Sequence, residues 1–390
     1  MPNAGDTKAI MLLLENLMPR GIEPVVVVPD SGGVCSTLKA KSIETYVLRY
    51  KHSTYPDLHT AKDAILFMPR VLGRLWLNWK ATRRLVRILR AREIELVHTN
   101  VSVIDIGHRA ARRLGLPHVY HFREYADLVG FRYMPSKKFF YSSITGEKDY
   151  SICITRGIQD YHQQTGPHAR VIYDGVKNKV ASMPDAQKEY YFLYAGRIEP
   201  NKGLADLLEA YDEALQKAHS LPMLKVAGAS SDEAYMQRVK FFVESHHLEQ
   251  LVEFLGECDN IDSLMQRAVA LVVPSKFEGF GFCMAEAMFN GCIVVGYNDT
   301  GTKEQFENGE RLTGSPIGFP YNGHEELRDL IIYLSEANRV ELTSIRQRAF
   351  SVVSELYTVE DNAQRVYEFY QTIVKASSQP PRGEVPSRSG

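Results

Sequence analysis

The sequence predicts an α/β protein made of two doubly wound, Rossmann-like domains whose strand ends face a cleft. Three observations lead there. Short apolar, β-branched runs alternate with helical patterns along almost the whole chain, as parallel sheets covered by helices on both faces require. The length, 390 residues, is enough for two domains that each bury a core. The polar stretch 174–189, with Gly175, Pro184 and little periodicity, separates two such sets. Ligands of doubly wound domains bind at the carboxyl ends of the strands, so function is sought in the loops there.

Taken in order, the chain opens on Asn3-Ala4-Gly5-Asp6 and an apolar helix over 7–18. A glycine turn at a helix start ordinarily follows the first strand of such a domain, and no strand-length sequence precedes this one. The first strand of the N-terminal domain is therefore expected to be missing, through a misplaced start or a real truncation. Strands are expected at 24–28, 43–48, 94–98, 118–123, 151–155 and 171–173, then at 191–195, 223–227, 252–255, 270–273 and 292–296. These give an N-terminal domain over 1–177 and a C-terminal domain over 185–356. After residue 340 the pattern is helical. A last helix over 358–376 carries Val366, Phe369, Tyr370, Ile373 and Val374 on one face and is expected to pack back on the first domain. The segment 377–390, rich in Pro, Ser, Arg and Gly, is expected to be disordered.

Bulk composition excludes several classes. Apolar residues make up 44% and charged residues 24%, as in an ordinary globular chain. A net charge of -1 gives no general attraction for nucleic acid, and no recognition motif accompanies the local charge, so no nucleic-acid partner is expected. The five cysteines (Cys35, Cys153, Cys258, Cys283, Cys292) are scattered without a C-x-x-C pair, which argues for a reducing compartment and against zinc or a disulfide frame. No run approaches the ~20 apolar residues that span a bilayer. The N-terminus lacks the basic-then-apolar form of a secretion signal. A cytoplasmic protein is expected.

The strongest chemical signal follows the strand at 270–273. There Pro274-Ser275-Lys276-Phe277-Glu278-Gly279-Phe280-Gly281-Phe282-Cys283 opens a short helix that carries Glu286. Amides at a helix start favour an anion, and Gly279 and Gly281 let a ligand approach the backbone. Glu278 and Glu286 would repel that anion, so they are expected to aim at hydroxyl groups. A sugar nucleotide supplies both phosphate and hydroxyls. The second signal, Ala195-Gly196-Arg197 through Lys202-Gly203, follows the first strand of the second set. Arg197 offers a fork of donors and Lys202 a compact charge, and both suit a diphosphate leaving group. Solvated surface charges are the plain alternative for each. Glu286 lies among Ala285, Ala287 and Met288, where a carboxylate needs a hydrogen-bond partner that a ribose diol would supply.

These two segments and the two-domain pattern resemble the family-4 retaining glycosyltransferases of GT-B fold, of the type that builds polysaccharides and cell-envelope glycans. The resemblance covers nearly the whole chain. It implies that Arg197 and Lys202 hold the donor diphosphate, Glu286 the ribose and Glu278 the transferred sugar. Gly196, Gly279 and the backbone of Phe280, Gly281, Phe282 and Cys283 would lie against sugar and phosphate. Thr300-Gly301-Thr302-Lys303-Glu304 resembles the family's Gly-Gly-x-x-Glu turn, with Thr300 in place of the first glycine; Thr302 is carried over as a binding residue. His121, at the end of the strand over 118–123, matches a histidine placed beside the donor sugar. Asn100 stands where the family often has another histidine, and Gly5 matches part of the first-loop glycine pair. The implied reaction is transfer from a nucleotide-diphosphate sugar to a glycan or lipid-linked acceptor, with retention. No Asp-x-Asp motif falls in a suitable loop, so neither metal nor other cofactor is expected. A catalytically impaired sugar-nucleotide-binding protein, a nucleotide-sugar epimerase and a phosphorylase are the alternatives. A dehydrogenase is disfavoured because no G-x-G-x-x-G follows an early strand.

A third feature, 69–92, holds Arg70, Arg74, Lys80, Arg83, Arg84, Arg87, Arg90 and Arg92, both tryptophans (Trp76, Trp79) and no acid. It reads as a peripheral contact with the inner face of a membrane, or as an ordinary amphipathic helix with Leu75, Leu85 and Leu89 inward.

Overall fold

The structure, a computed structural model, describes residues 5–378 except 57 and 59; the expected disordered tail beyond 378 lies outside the described residues. The chain forms two compact units. The first holds the chain up to Cys153, His162–Ile172, and the chain from Ala363 onward; the second holds Ile154–Tyr161 and Tyr173–Asn362. The chain therefore enters the second unit earlier than the expected boundary at 177. The reason is a buried carboxylate: Glu304 accepts hydrogen bonds from the amides of Arg156 (2.8 Å) and Gly157 (3.0 Å) and from the Tyr173 hydroxyl (2.8 Å).

In the first unit, β1 (Val25–Val28) and β2 (Glu44–Val47) pair in parallel, and β3 (Val97–Thr99), β4 (His118–Phe122), β5 (Asp149–Cys153) and β6 (Ala169–Val171) form a separate parallel sheet in that order. The helix Gly5–Leu17 serves two cores. Its Leu13 and Leu17 pack with Val119, Ile152 and the stripe Val366, Phe369, Tyr370 and Ile373 of the helix Val359–Ser378, while Met11 packs with Val28, Cys35, Leu38 and Ile43. Each such fully buried large side chain contributes about 2 kcal/mol.

In the second unit, β7 (Tyr191–Ala195), β8 (Met223–Ala227), β9 (Val252–Gly256), β10 (Ala270–Val273), β11 (Ile293–Tyr297) and β12 (Phe319–Tyr321) form one parallel sheet in the order β12-β11-β10-β7-β8-β9. β12 was not expected. Phe319-Pro320-Tyr321 is only three residues long, and its proline lacks a donor, which a sheet tolerates at an edge. The chain winds from β7 outward through β8 to β9, then crosses back to β10 and winds the other way. That reversal, between β7 and β10, is where doubly wound sheets open a binding crevice. Two loops leave it, 196–203 after β7 and 274–281 after β10.

Candidate functional site

The two loops are held together by an approach that only glycine admits. Gly203 has φ 71°, and a Cβ there would lie 2.4 Å from the Pro274 carbonyl oxygen. Lys202 is thereby brought beside the second loop, and its Nζ lies 2.6 Å from Oε1 of Glu278. Burial pushes the Glu278 pKa up. The charge and hydrogen bond of Lys202, the Ser275 hydroxyl and the charge of Arg197 outweigh it, and the carboxyl stays below the ordinary glutamate value. The sequence reading aimed Glu278 at hydroxyl groups; here the carboxylate faces the Lys202 ammonium, and a facing opposite charge favours the ionised form. Arg197 is half exposed and gives Nη1 to Glu199 at 2.8 Å. Each cation is thus already held by a carboxylate.

Glu286 is 8% exposed on the helix Phe282–Phe289, among wholly buried Ala285, Ala287 and Met288. Its charge is felt by Cys283. Burial first, then the charges of Glu278 and Glu286, push that thiol up to about 12, with Lys202 pulling the other way. Cys283 is therefore a neutral, unreactive side chain at neutral pH. It also marks a convergence: Glu278, Glu286 and Lys202 act on one sulfur, and Arg197 acts on Glu278. Lys202 and Glu278 are in contact, and Arg197 and Glu286 lie within electrostatic reach of Glu278 and Cys283 respectively; Gly196 precedes Arg197 at the head of the first loop.

The glycine loop is tied down through its carbonyls. The Glu278 oxygen accepts from Gly301 N (2.9 Å), that of Gly279 from Thr155 Oγ1 (3.2 Å), and those of Phe280 and Gly281 from Gln305 Nε2 (2.5 and 3.0 Å). In a trans peptide the N–H points opposite to the preceding carbonyl. Fixing the oxygens of 278–280 on one side turns the amides of Gly279, Phe280 and Gly281 to the other. Such a row of amides at a helix start suits an anion. Thr155 and Gln305 escaped the sequence reading, because nothing in the local pattern marks either as a ligand of this loop.

The helix Thr300–Thr313 completes the wall. A Cβ on Gly301 would meet the Glu278 carbonyl oxygen at 2.7 Å, so glycine is required there. Thr300 has φ 48°, a left-handed conformation unfavourable for a β-branched residue, at the position where the family pattern has its first glycine. The hydroxyls of Thr300 and Thr302 are buried with no hydrogen-bond partner among the described residues. Thr300→Gly is expected to stabilise the protein by about 1 kcal/mol, from relief of strain and of the orphaned hydroxyl. Thermal unfolding checks this; a variant no more stable than wild type contradicts the strain.

In the first unit, His121 is the last residue but one of β4 and is completely buried. Its Nδ1 lies 3.3 Å from Arg123 Nη2 and 3.2 Å from His98 Nε2, and His98 Nδ1 lies 2.5 Å from the Tyr370 hydroxyl. A guanidinium can only donate, so His121 Nδ1 accepts and its proton sits on Nε2. His98 then donates from Nε2 and accepts at Nδ1 from Tyr370. Burial, then the Arg123 charge, lowers His98 to about 3 and His121 in the same direction. Both rings are neutral, and the chain ends in an N–H on His121 Nε2 that has no partner among the described residues. Long-range 1H–15N spectra should show this single tautomer, without titration between about pH 5 and 8; Tyr370→Phe, which leaves the Arg123 contact in place, should keep it. A wild-type His121 protonated on Nδ1 would refute the assignment. Asn100 accepts from Arg123 Nε at 2.9 Å and so helps fix that guanidinium, and Gly5 is the first residue of the helix Gly5–Leu17.

Comparison with known proteins gives a consistent picture. The family profile described as Glycosyltransferase Family 4 matches residues 5–179, and that described as Glycosyl transferases group 1 matches 177–349. An uncharacterized glycosyltransferase of Methanocaldococcus jannaschii is 24% identical over 71% of this chain and 77% of its own length. The lipopolysaccharide 1,2-N-acetylglucosaminetransferase of Salmonella typhimurium is 28% identical over 47% of this chain, which spans about half of that relative (48%). Among solved structures, Anabaena HepE in complex with UDP superposes with a TM-score of 0.76 at 18% identity, over 95% of this chain and 97% of that one.

Proposed function

The chain belongs to the family-4 glycosyltransferases and has their GT-B fold, and on that basis we propose that it transfers a sugar, with retention, from a nucleotide-diphosphate donor to a glycan or lipid-linked acceptor. The observation that carries this reading is the convergence of Lys202, Arg197, Glu278 and Glu286 at the switch point of the second sheet. In this reading the diphosphate displaces Glu278 and Glu199 from the two cations and lies against the amides of Gly279 to Gly281. Glu286 receives the ribose hydroxyls. Glu278, once released, receives hydroxyls of the transferred sugar. The bond between the anomeric carbon and the diphosphate oxygen breaks. The acceptor oxygen bonds to that carbon from the same face, and its proton passes to the departing phosphate oxygen. Preorganised donors of this kind are typically worth ~3 kcal/mol each.

Uridine diphosphate sugars are the first donors to try, since the Anabaena neighbour is complexed with UDP. The name of the Salmonella relative favours an envelope glycan as acceptor. We read the chain as cytoplasmic, meeting a membrane surface through 69–92; no described helix is long and apolar enough to cross one. The test is incubation with a panel of nucleotide sugars and envelope-glycan acceptors, with product analysis by NMR. One donor should be consumed only with acceptor, the new linkage should keep the donor's anomeric configuration, and EDTA should leave the rate unchanged. An inverted anomer would remove retention from the reading. Nucleotide binding with no turnover of any donor would favour the binding-protein alternative.

A further inference from the structure

The helix Phe67–Ala91 presents an unusual outer face. Val71, Ala81, Leu85 and Leu89 are buried, as an amphipathic helix requires, but Leu75 is not inward as the sequence suggested. It lies on an exposed ridge with Met68, Leu72, Trp76 and Trp79, of which Leu72 and Trp76 are each 60% exposed. The spacing places all five on one stripe of the helix. An uninterrupted apolar ridge with two tryptophans is costly in water. Toward the C-terminus the exposed face becomes basic. Lys80 lies 5.0 Å from the Trp76 ring centroid and Arg83 lies 4.6 Å from that of Trp79.

Beside the ridge a cavity of about 400 Å³ lies between the end of β2 and this helix, and Arg49, Trp76, Lys80 and Arg84 line it. Among the described residues none of these three cations meets a carboxylate, and no acid occurs from 67 to 92. Three unneutralised cations around an aromatic wall favour a multiply charged anion. An isologous contact with a second copy would set this basic face against itself.

We propose that this cavity binds the phosphate of an anionic lipid headgroup while the adjoining ridge of Met68, Leu72, Leu75 and Trp79 enters the acyl layer. Interfacial tryptophans flanked by cations are the arrangement that an anionic bilayer surface selects. The inference rests on the reading of 69–92 as a membrane contact and specifies what that contact holds.

The chain's two tryptophans, Trp76 and Trp79, are both on the ridge, so emission excited selectively from tryptophan reports this face alone. Full-length protein is titrated with phosphatidylcholine vesicles with and without phosphatidylglycerol, and with soluble glycerol phosphate. Emission should shift to the blue with anionic vesicles only, and lipids brominated in the acyl chains should quench it. Arg49→Gln/Lys80→Gln/Arg84→Gln should weaken vesicle affinity by about fivefold per charge, roughly a hundredfold in all. Arg83→Gln/Arg87→Gln/Arg90→Gln, which removes as many cations from the same helix outside the cavity, should cost distinctly less. Equal losses would mean a diffuse charge effect and overturn the site. So would a shift with neutral vesicles alike, no shift with any vesicle, or a concentration-dependent shift without lipid, which would assign the ridge to a second copy. Glycerol phosphate protecting the cavity without vesicle binding would overturn the lipid source. Because no donor is present, none of these outcomes depends on turnover.

Discussion

Lys202→Met is expected to lower kcat by roughly a hundredfold, the scale of one lost transition-state donor, and also to destabilise the fold. The second effect follows from Glu278. Its side chain is 16% exposed and ends 2.6 Å from Lys202 Nζ. Without the ammonium, a mostly buried carboxylate keeps its charge and loses its partner, which costs roughly 2 kcal/mol. Neutralising both partners separates the effects. Lys202→Met/Glu278→Gln should recover most of the stability, because no orphaned charge remains, yet should not recover turnover, because the diphosphate still lacks its cation. Comparison of Tm and kcat for the two variants checks this; recovery of turnover by the double variant would place the role of Lys202 in the fold alone. The acid side has a definite sign. The folded pKa of Glu278 lies below its ordinary value, so the pair stabilises at neutral pH. That contribution disappears as acid protonates Glu278, below about pH 4.

Glu304→Ala is expected to be the most destabilising single change at the site, by about 4 kcal/mol. Glu304 is 8% exposed and accepts from two backbone amides and one tyrosine hydroxyl. Removing it leaves the amides of Arg156 and Gly157 without their acceptor, and each orphaned donor costs ~1–3 kcal/mol. The helix Arg156–Tyr161 would loosen, and with it Thr155, which holds the Gly279 carbonyl. Glu304→Gln, which keeps an acceptor oxygen, should lose less than half as much. Denaturant unfolding of both variants is the measurement, and equal losses for Ala and Gln would contradict the hydrogen-bond account.

The alternating pattern made most of the fold legible. Runs such as 191–195, 223–227 and 270–273 match their strands to the residue because they are short, mostly apolar and bounded by polar or turn residues. What stayed hidden depends on partners distant in sequence. The helical segment 154–161 joins the second unit because of Glu304, which no local pattern around Thr155 could announce. At the candidate site, Arg197, Lys202, Glu278 and Glu286 could be singled out because short loops and a glycine-bearing helix start display them. Gln305 and Thr155, which orient the same loop, look like ordinary helix-face and strand-end residues. The tautomer of His121 was equally out of reach, since it is set by the direction in which the Arg123 guanidinium donates, and the relay it starts ends through His98 on Tyr370, on a helix at the other end of the chain. Thr300 was legible as a departure from a pattern, and its positive φ gives that departure a physical meaning.

The most direct test is calorimetric titration of a panel of nucleoside diphosphates into the wild-type protein, Glu286→Ala and Lys202→Met/Glu278→Gln. At least one diphosphate should bind the wild type, and each variant should bind it at least tenfold more weakly, about 1.4 kcal/mol. Unchanged affinity in both variants would mean that these side chains do not form one nucleotide-sugar site.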